Sequence, residues 1–137
     1  SVLMKKVFIS NSPEETEKLG QKFAETLSGD EFIAMYGNLG AGKTAFVRGM
    51  ASYICPECGV SSPSYTLINE YVGGKLPLYH FDVYRITDDD ELYSTGLYDY
   101  PATGVCVCEW SENIENALPD NTIYVEIENI GEKTEVI

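Results

Sequence analysis

YGNLGAGKTAF, from Tyr36 to Phe46, carries the spacing G-x-x-x-x-G-K-T, filled by Gly37, Gly42, Lys43 and Thr44, with a further glycine at Gly40. The run before it, EFIAMY, is apolar and strand-like; the run after it, KTAFVRGMASYI, has helical spacing of apolar residues. A strand is therefore expected to end just before Gly37 and a helix to start near Lys43. Glycines let such a turn take positive backbone dihedrals and bring its amides close to a ligand. Those amides and the helix N-terminus make a cradle for phosphate oxygens. In this pattern Lys43 reaches the β- and γ-phosphates and the Thr44 hydroxyl holds Mg²⁺. The plain alternative is a chance glycine turn, which the strand–loop–helix context disfavours.

The chain has 137 residues, 44% of them hydrophobic, with ten Tyr, five Phe and one Trp. That composition fits one globular domain over 1–137, large enough for a real core. No apolar run approaches the length of a membrane span. The N-terminal SVLMKKVFIS turns polar too soon for a secretory signal, so a cytoplasmic location is the expectation. The net charge is −13, and Arg48 and Arg85 are the two arginines. Affinity for nucleic acid rests largely on neutralising phosphates with Lys and Arg. A chain this acidic is not expected to hold RNA or DNA by itself, although it can serve a nucleic-acid pathway through a protein partner. Acidity that only serves solubility is the other reading.

The four cysteines fall in two pairs, CPEC at Cys55 and Cys58 and CVC at Cys106 and Cys108. Zinc is one reading of two pairs. The second pair sits in the apolar run GVCVCEW, where small buried thiols are ordinary. The first pair is a redox pair, half a metal site or a plain loop. In a cytoplasmic protein these thiols are expected to be reduced.

KKVFIS reads as a first strand, and NSPEETEKLGQKFAETLSGD as a helix. Ser12 is its N-cap, Pro13 its first residue, and Glu15 completes a capping box. Leu19, Phe23 and Leu27 recur at helical spacing, and Gly29 is the expected stop. After the helix that follows the loop, two strand-like runs flank GGKLP, which predicts a hairpin. In the second run Tyr79, Phe81 and Val83 are expected on one face, building the core. His80, Asp82 and Tyr84 take the other, free to line a site. Short helices are expected in DDDELYSTGLYDY and SENIENALP, a buried strand in VCVCEW and a last strand in NTIYVEIENI. The fold class is α/β: a sheet like that of the phosphate-loop NTPases, with a parallel core plus antiparallel strands and helices on both faces.

Cleavage of a nucleotide at such a loop needs Mg²⁺ and an acid that holds it. Glu109 ends the VCVC strand, and Asp82 lies on the polar side of YHFDVY. One of the two holds the metal and the other orients the attacking water; the sequence does not assign which. His80, the one histidine, is read as structural. Trp110 packs at the site, at a partner surface or in the core. No N-K-x-D segment for guanine occurs, which favours ATP.

GNLGAGKTAFVRG, SPSYTLINEY, LYHFDVYRI, GLYDY, EW and LP occur in an order and spacing that resemble the bacterial TsaE family of ATPases, also called YjeE, over roughly residues 7–130. The resemblance implies a phosphate-loop α/β fold that binds ATP or ADP with Mg²⁺ and hydrolyses ATP weakly alone. It implies a role in making threonylcarbamoyladenosine in tRNA, with the TsaD transferase and its paralogue TsaB as partners. In that scheme TsaD transfers the threonylcarbamoyl group, hydrolysis resets the assembly, and tRNA is met only through the complex. It implies a nucleotide site of Asn38, Leu39, Gly40, Ala41, Gly42, Lys43, Thr44 and Ala45 with Trp110 as neighbour. The catalytic residues are Lys43, Asp82 and Glu109, and the metal ligands Thr44 and Glu109, with Asp82 a further candidate. Ser64 and Tyr65 fall in a segment that behaves as a mobile switch; family members often carry Thr at the position of Ser64. CPEC is outside the family pattern. Two other classes remain open at this stage. A small-molecule phosphate-loop kinase usually needs several arginines, which this chain lacks. A non-catalytic nucleotide sensor has no use for the paired acids.

Overall fold

The computed structural model describes residues 8–37, 40–58, 68–82, 104–109, 118, 121–130 and 133–136. Seven strands and two helices follow in the order β1 (Phe8–Ser10), α1 (Pro13–Glu25), β2 (Phe32–Tyr36), α2 (Gly40–Ile54), β3 (Ile68–Tyr71), β4 (Leu78–Asp82), β5 (Val105–Glu109), β6 (Ile123–Ile130) and β7 (Lys133–Val136). They form one sheet in the order β1-β7-β6-β2-β5-β4-β3. The pairs β6/β2, β2/β5 and β5/β4 are parallel; β3/β4, β6/β7 and β1/β7 are antiparallel. The expected parallel core with added antiparallel strands is thus present. Both described helices cover one face of the sheet, through Ala24 of α1 and Phe46, Val47, Met50, Ala51 and Ile54 of α2. The helix expected at 88–100 lies outside the described residues, as do residues 111–117 and 119 of the helix expected at 111–119 and residues 5–7 of the expected first strand. Among the described residues no helix is long and apolar enough to cross a membrane.

α1 starts as its sequence demands. Ser12 Oγ accepts from the Glu15 amide at 3.2 Å, and the Glu15 carboxylate accepts from the Asn11 amide at 2.5 Å. Two orphan donors are satisfied, the second one residue before the cap itself. The helix ends at Glu25 rather than running to Gly29. Thr26 stops it by tightening the last turn: its amide and its hydroxyl both donate to the Phe23 carbonyl, at 3.0 and 2.7 Å. Gly29, at φ 121°, instead shapes the loop into β2. There the Glu31 carboxylate accepts from the amides of Ser28, Gly29 and Asp30 at 2.7, 2.8 and 3.1 Å. Burial pushes this carboxyl up, but the surrounding amides together outweigh it and hold it below its ordinary value of 4.5.

α1 and α2 cross with their backbones nearly touching. A Cβ on Gly20 would strike the Phe46 carbonyl, and one on Gly49 would strike the Glu17 carbonyl. Beside the crossing the Phe23 and Phe46 rings pack with centroids 5.6 Å apart, tilted by 39°. Arg48 bonds Glu17 across the crossing at 3.1 Å, but half its side chain is in water, so the pair adds little.

Two expectations change in the sheet. β4 has no free face: Leu78 and His80 are as buried as Phe81. β4 lies inside the sheet between β3 and β5, and Leu78, on the expected polar side, packs into the helix-covered core. β7 has no counterpart in the strands expected from sequence. Its residues KTEV are short and polar, and their extended form comes from pairing between β6 and β1.

Cys106 and Cys108 are fully buried in β5, and burial pushes the Cys106 thiol up to about 12. Cys55 and Cys58 are not the reduced pair expected: they form a disulfide. The turn that follows α2 brings their Cα atoms to 5.5 Å, within bridging distance. Both sulfurs lie within 4.0 Å of the Val72 carbonyl at the β3–β4 turn.

Three outcomes follow from this packing. Gly49→Ala is expected to destabilise the protein by about 2 kcal/mol in urea unfolding, because the clash meets backbone. The helix-propensity gain of about 1 kcal/mol acts against it, and a neutral result would refute the close crossing. Glu31→Gln is expected to cost stability at neutral pH. The Glu31 carboxyl is lowered in the folded state, so its contribution is complete above the ordinary value of 4.5 and fades as pH falls through the lowered one. The two midpoints should therefore converge in acid; a gap that does not depend on pH would contradict the amide cage. Chain prepared without reductant should show two thiols on denaturation, from the two free cysteines, and four after reduction. Four thiols before reduction would exclude the disulfide.

Candidate functional site

β2 ends at Tyr36, and the chain turns at Gly37 with φ 117°. A Cβ here would also collide with the Ile127 carbonyl of β6. Only glycine meets both demands, so the first glycine of the motif fixes how the chain leaves the sheet. α2 then begins at Gly40, three residues before the expected start at Lys43. Gly40, Ala41, Gly42 and Lys43 thus form the first helical turn. Gly37 carries the positive φ expected of the loop, while Gly42 is helical.

The two helix starts differ in charge. α1 has Glu14 and Glu15 in its first turn, beneath its Ser12 cap. α2 has no acid in its first turn, and carries Lys43 there, 2% exposed. The N-terminus of a helix is its positive end, with backbone amides that lack intrahelical partners. A buried ammonium at that end is the reverse of the usual preference, and an anion at the same place offsets it. Thr44 follows, half-buried, and Ala45 turns into the core.

The parallel register sets the acids beside this turn. Ala34 of β2 pairs with Cys108, and Glu109 is the next residue of β5. Glu109 in turn pairs with Asp82, the last residue of β4. Both acids therefore sit at the C-terminal ends of central parallel strands, the edge where β2 delivers its loop, and where open α/β sheets bind ligands. Glu109 is 4% exposed. Of Asp82 the backbone position is described and the side chain is not. The Thr44 hydroxyl and the Glu109 carboxylate are hard oxygen donors, a chemistry that suits Mg²⁺. Among the described residues no group of three or more His, Cys, Asp or Glu gathers into a ready-made metal cage.

Sequence reasoning set His80 aside as structural. In the structure its Nε2 lies 2.5 Å from Glu109 Oε2, with the histidine fully buried. The available signal was the alternation itself: His80 is two residues before Asp82, hence on the same side of β4 by spacing. Arg48 is engaged with Glu17. Asn38, Leu39, Ser64, Tyr65, Arg85 and Trp110 lie outside the described residues.

Comparison with known proteins adds an independent line. The model of the family described as "Threonylcarbamoyl adenosine biosynthesis protein TsaE" matches residues 10–136. A relative from Bacillus subtilis, named tRNA threonylcarbamoyladenosine biosynthesis protein TsaE, is 39% identical over 122 residues, covering 88% of this chain and 76% of its own. A relative of the same name from Haemophilus influenzae is 44% identical over 118 residues, covering 81% and 74%. The crystal structure of Bacillus subtilis YdiB matches with a TM-score of 0.76 at 33% identity, over 99% of this chain and 86% of that one.

Proposed function

The chain belongs to the TsaE family of tRNA threonylcarbamoyladenosine biosynthesis, and from that premise we propose that it is a Mg²⁺-dependent ATPase. It works with a TsaD-type transferase and a TsaB-type paralogue, and its hydrolysis resets their assembly between rounds. The observation that carries this reading is the buried Lys43 in an acid-free first turn of α2, level with the strand ends that hold Glu109 and Asp82.

In this reading the amides of Gly40 to Thr44 bind the phosphate oxygens, and Lys43 neutralises the β- and γ-phosphates. The Thr44 hydroxyl and Glu109 hold Mg²⁺, with Asp82 as a second acid that orients water or shares the metal. Mg²⁺ held there would supply Lewis-acid neutralisation of the charge on the phosphate oxygens. Glu109 is 4% exposed, which limits the water that reaches it. Arg48 bonds Glu17 in a half-exposed pair that holds it only weakly. A transition-state arginine is therefore Arg48, Arg85 or one from a partner protein, and a partner-supplied one accounts for slow hydrolysis by the chain alone. The acidic surface fits the same picture, since tRNA is met through the partners.

Phosphate release from Mg-ATP, measured for the chain alone and with TsaD and TsaB added, tests the proposal. A slow rate that rises with the partners is expected. Equal rates would remove the partner-supplied group, and no release with ATP still bound would turn the reading toward a sensor. Lys43→Ala should weaken ATP binding roughly tenfold or more, the loss of a charge-assisted contact; unchanged affinity would count against the cradle.

A further inference from the structure

β4 and β5 run parallel, with His80 opposite Val107 and Asp82 opposite Glu109. His80 is therefore two pairs behind Glu109 in the register, on the same side of the sheet. Its neighbours in the strands, Leu78 and Val107, are apolar and buried in the helix-covered core. The ring is 0% exposed, and its polar contact among the described residues is Glu109 Oε2, at 2.5 Å from Nε2. Nδ1 is buried and has no hydrogen-bond partner among the described residues. A carboxylate only accepts, so in this contact Nε2 carries the hydrogen and donates it.

This is an expensive way to fill a core position. Burying a polar ring with one nitrogen unpaired costs free energy that an apolar side chain would avoid. The return is a donor held rigidly against a carboxylate that is itself buried. Carboxylates that hold metals are commonly oriented by such a hydrogen bond, which fixes the rotamer and selects the oxygen left for the ion.

We propose that His80 is a positioning residue: its Nε2–H holds Glu109 Oε2, so that Oε1 is the oxygen presented to Mg²⁺ or to water. The proposal rests on the ATPase reading of Glu109 and deepens it by naming what aims the acid. His80 itself touches neither nucleotide nor metal.

Three variants separate this role from simple packing. In His80→Gln the side-chain amide nitrogen is as many bonds from Cα as Nε2, so the donor is kept. In His80→Asn the amide reaches only the level of Nδ1, and His80→Leu has no donor. For each, calorimetry gives ATP affinity with Mg²⁺ and in EDTA, and phosphate release gives kcat and the Mg²⁺ concentration for half-maximal rate. His80→Leu and His80→Asn are expected to lose roughly ten- to a hundredfold in Mg²⁺ dependence or kcat, with ATP affinity in EDTA unchanged. His80→Gln is expected to recover most of that loss. Should His80→Leu fail to fold, the comparison of Gln with Asn decides. Equal behaviour of Gln and Asn, or parallel losses with Mg²⁺ and in EDTA, would overturn the proposal in favour of packing. If the parent releases no phosphate, alone or with partners, the ATPase reading fails. The positioning role then stands or falls on the ratio of ATP affinity with Mg²⁺ to that in EDTA.

Discussion

β2 has parallel neighbours on both edges and buried side chains on both faces from Phe32 to Met35. Such a strand has no water to turn to, so its backbone groups must be paired and its position cannot drift. The site inherits that rigidity. The loop leaves from the end of β2, Glu109 lies one residue past a β2–β5 pair, and Asp82 is registered on Glu109. Gly37 adds a local constraint, since its contact with the Ile127 backbone permits no side chain. The chain is thus steered into α2 by contacts on both sides of β2.

Electrostatics then divide the molecule between its two helices. α1 meets its own N-terminus with the Ser12 cap and two acids, Glu14 and Glu15, in its first turn. α2 brings glycines and a lysine to the equivalent position. It accumulates positive potential in a chain whose net charge is −13. Local charge, rather than net charge, decides where an anion is welcome.

The parts of this fold that were legible in the sequence are those governed by local chemistry. Ser12, Pro13 and Glu15 announce the start of α1, the glycines and Lys43 announce the loop, and GGKLP announces the β3–β4 turn. The end of α1 was not legible, because Thr26 and Gly29 are both plausible stops and only the hydroxyl contact with Phe23 decides between them. The start of α2 was missed by one turn, because glycine is a poor helix former whose preference tertiary context overrides. β7 was missed because KTEV has little apolar content of its own and is a strand by virtue of its neighbours. At the site, Glu109 was readable as an acid ending an apolar strand. The partnership of His80 with it was not, since it joins residues 29 apart in sequence through a parallel register no local pattern encodes.

The β3–β4 turn grips the far end of α2. The Lys75 amide donates to the Ile54 carbonyl at 2.7 Å, the Lys75 ammonium to the Tyr53 carbonyl at 3.1 Å, and that ammonium lies over the Tyr53 ring. α2 has 15 residues, so these contacts lie about 20 Å from its first turn at 1.5 Å per residue. Strand, loop, helix, turn, strand and back through β5 to β2 make a closed mechanical circuit. A helix is stiff along its axis, so a load applied at the first turn of α2 arrives at the root of β4 instead of being absorbed in slack chain. In such a truss the floor and the wall of the site cannot be displaced independently.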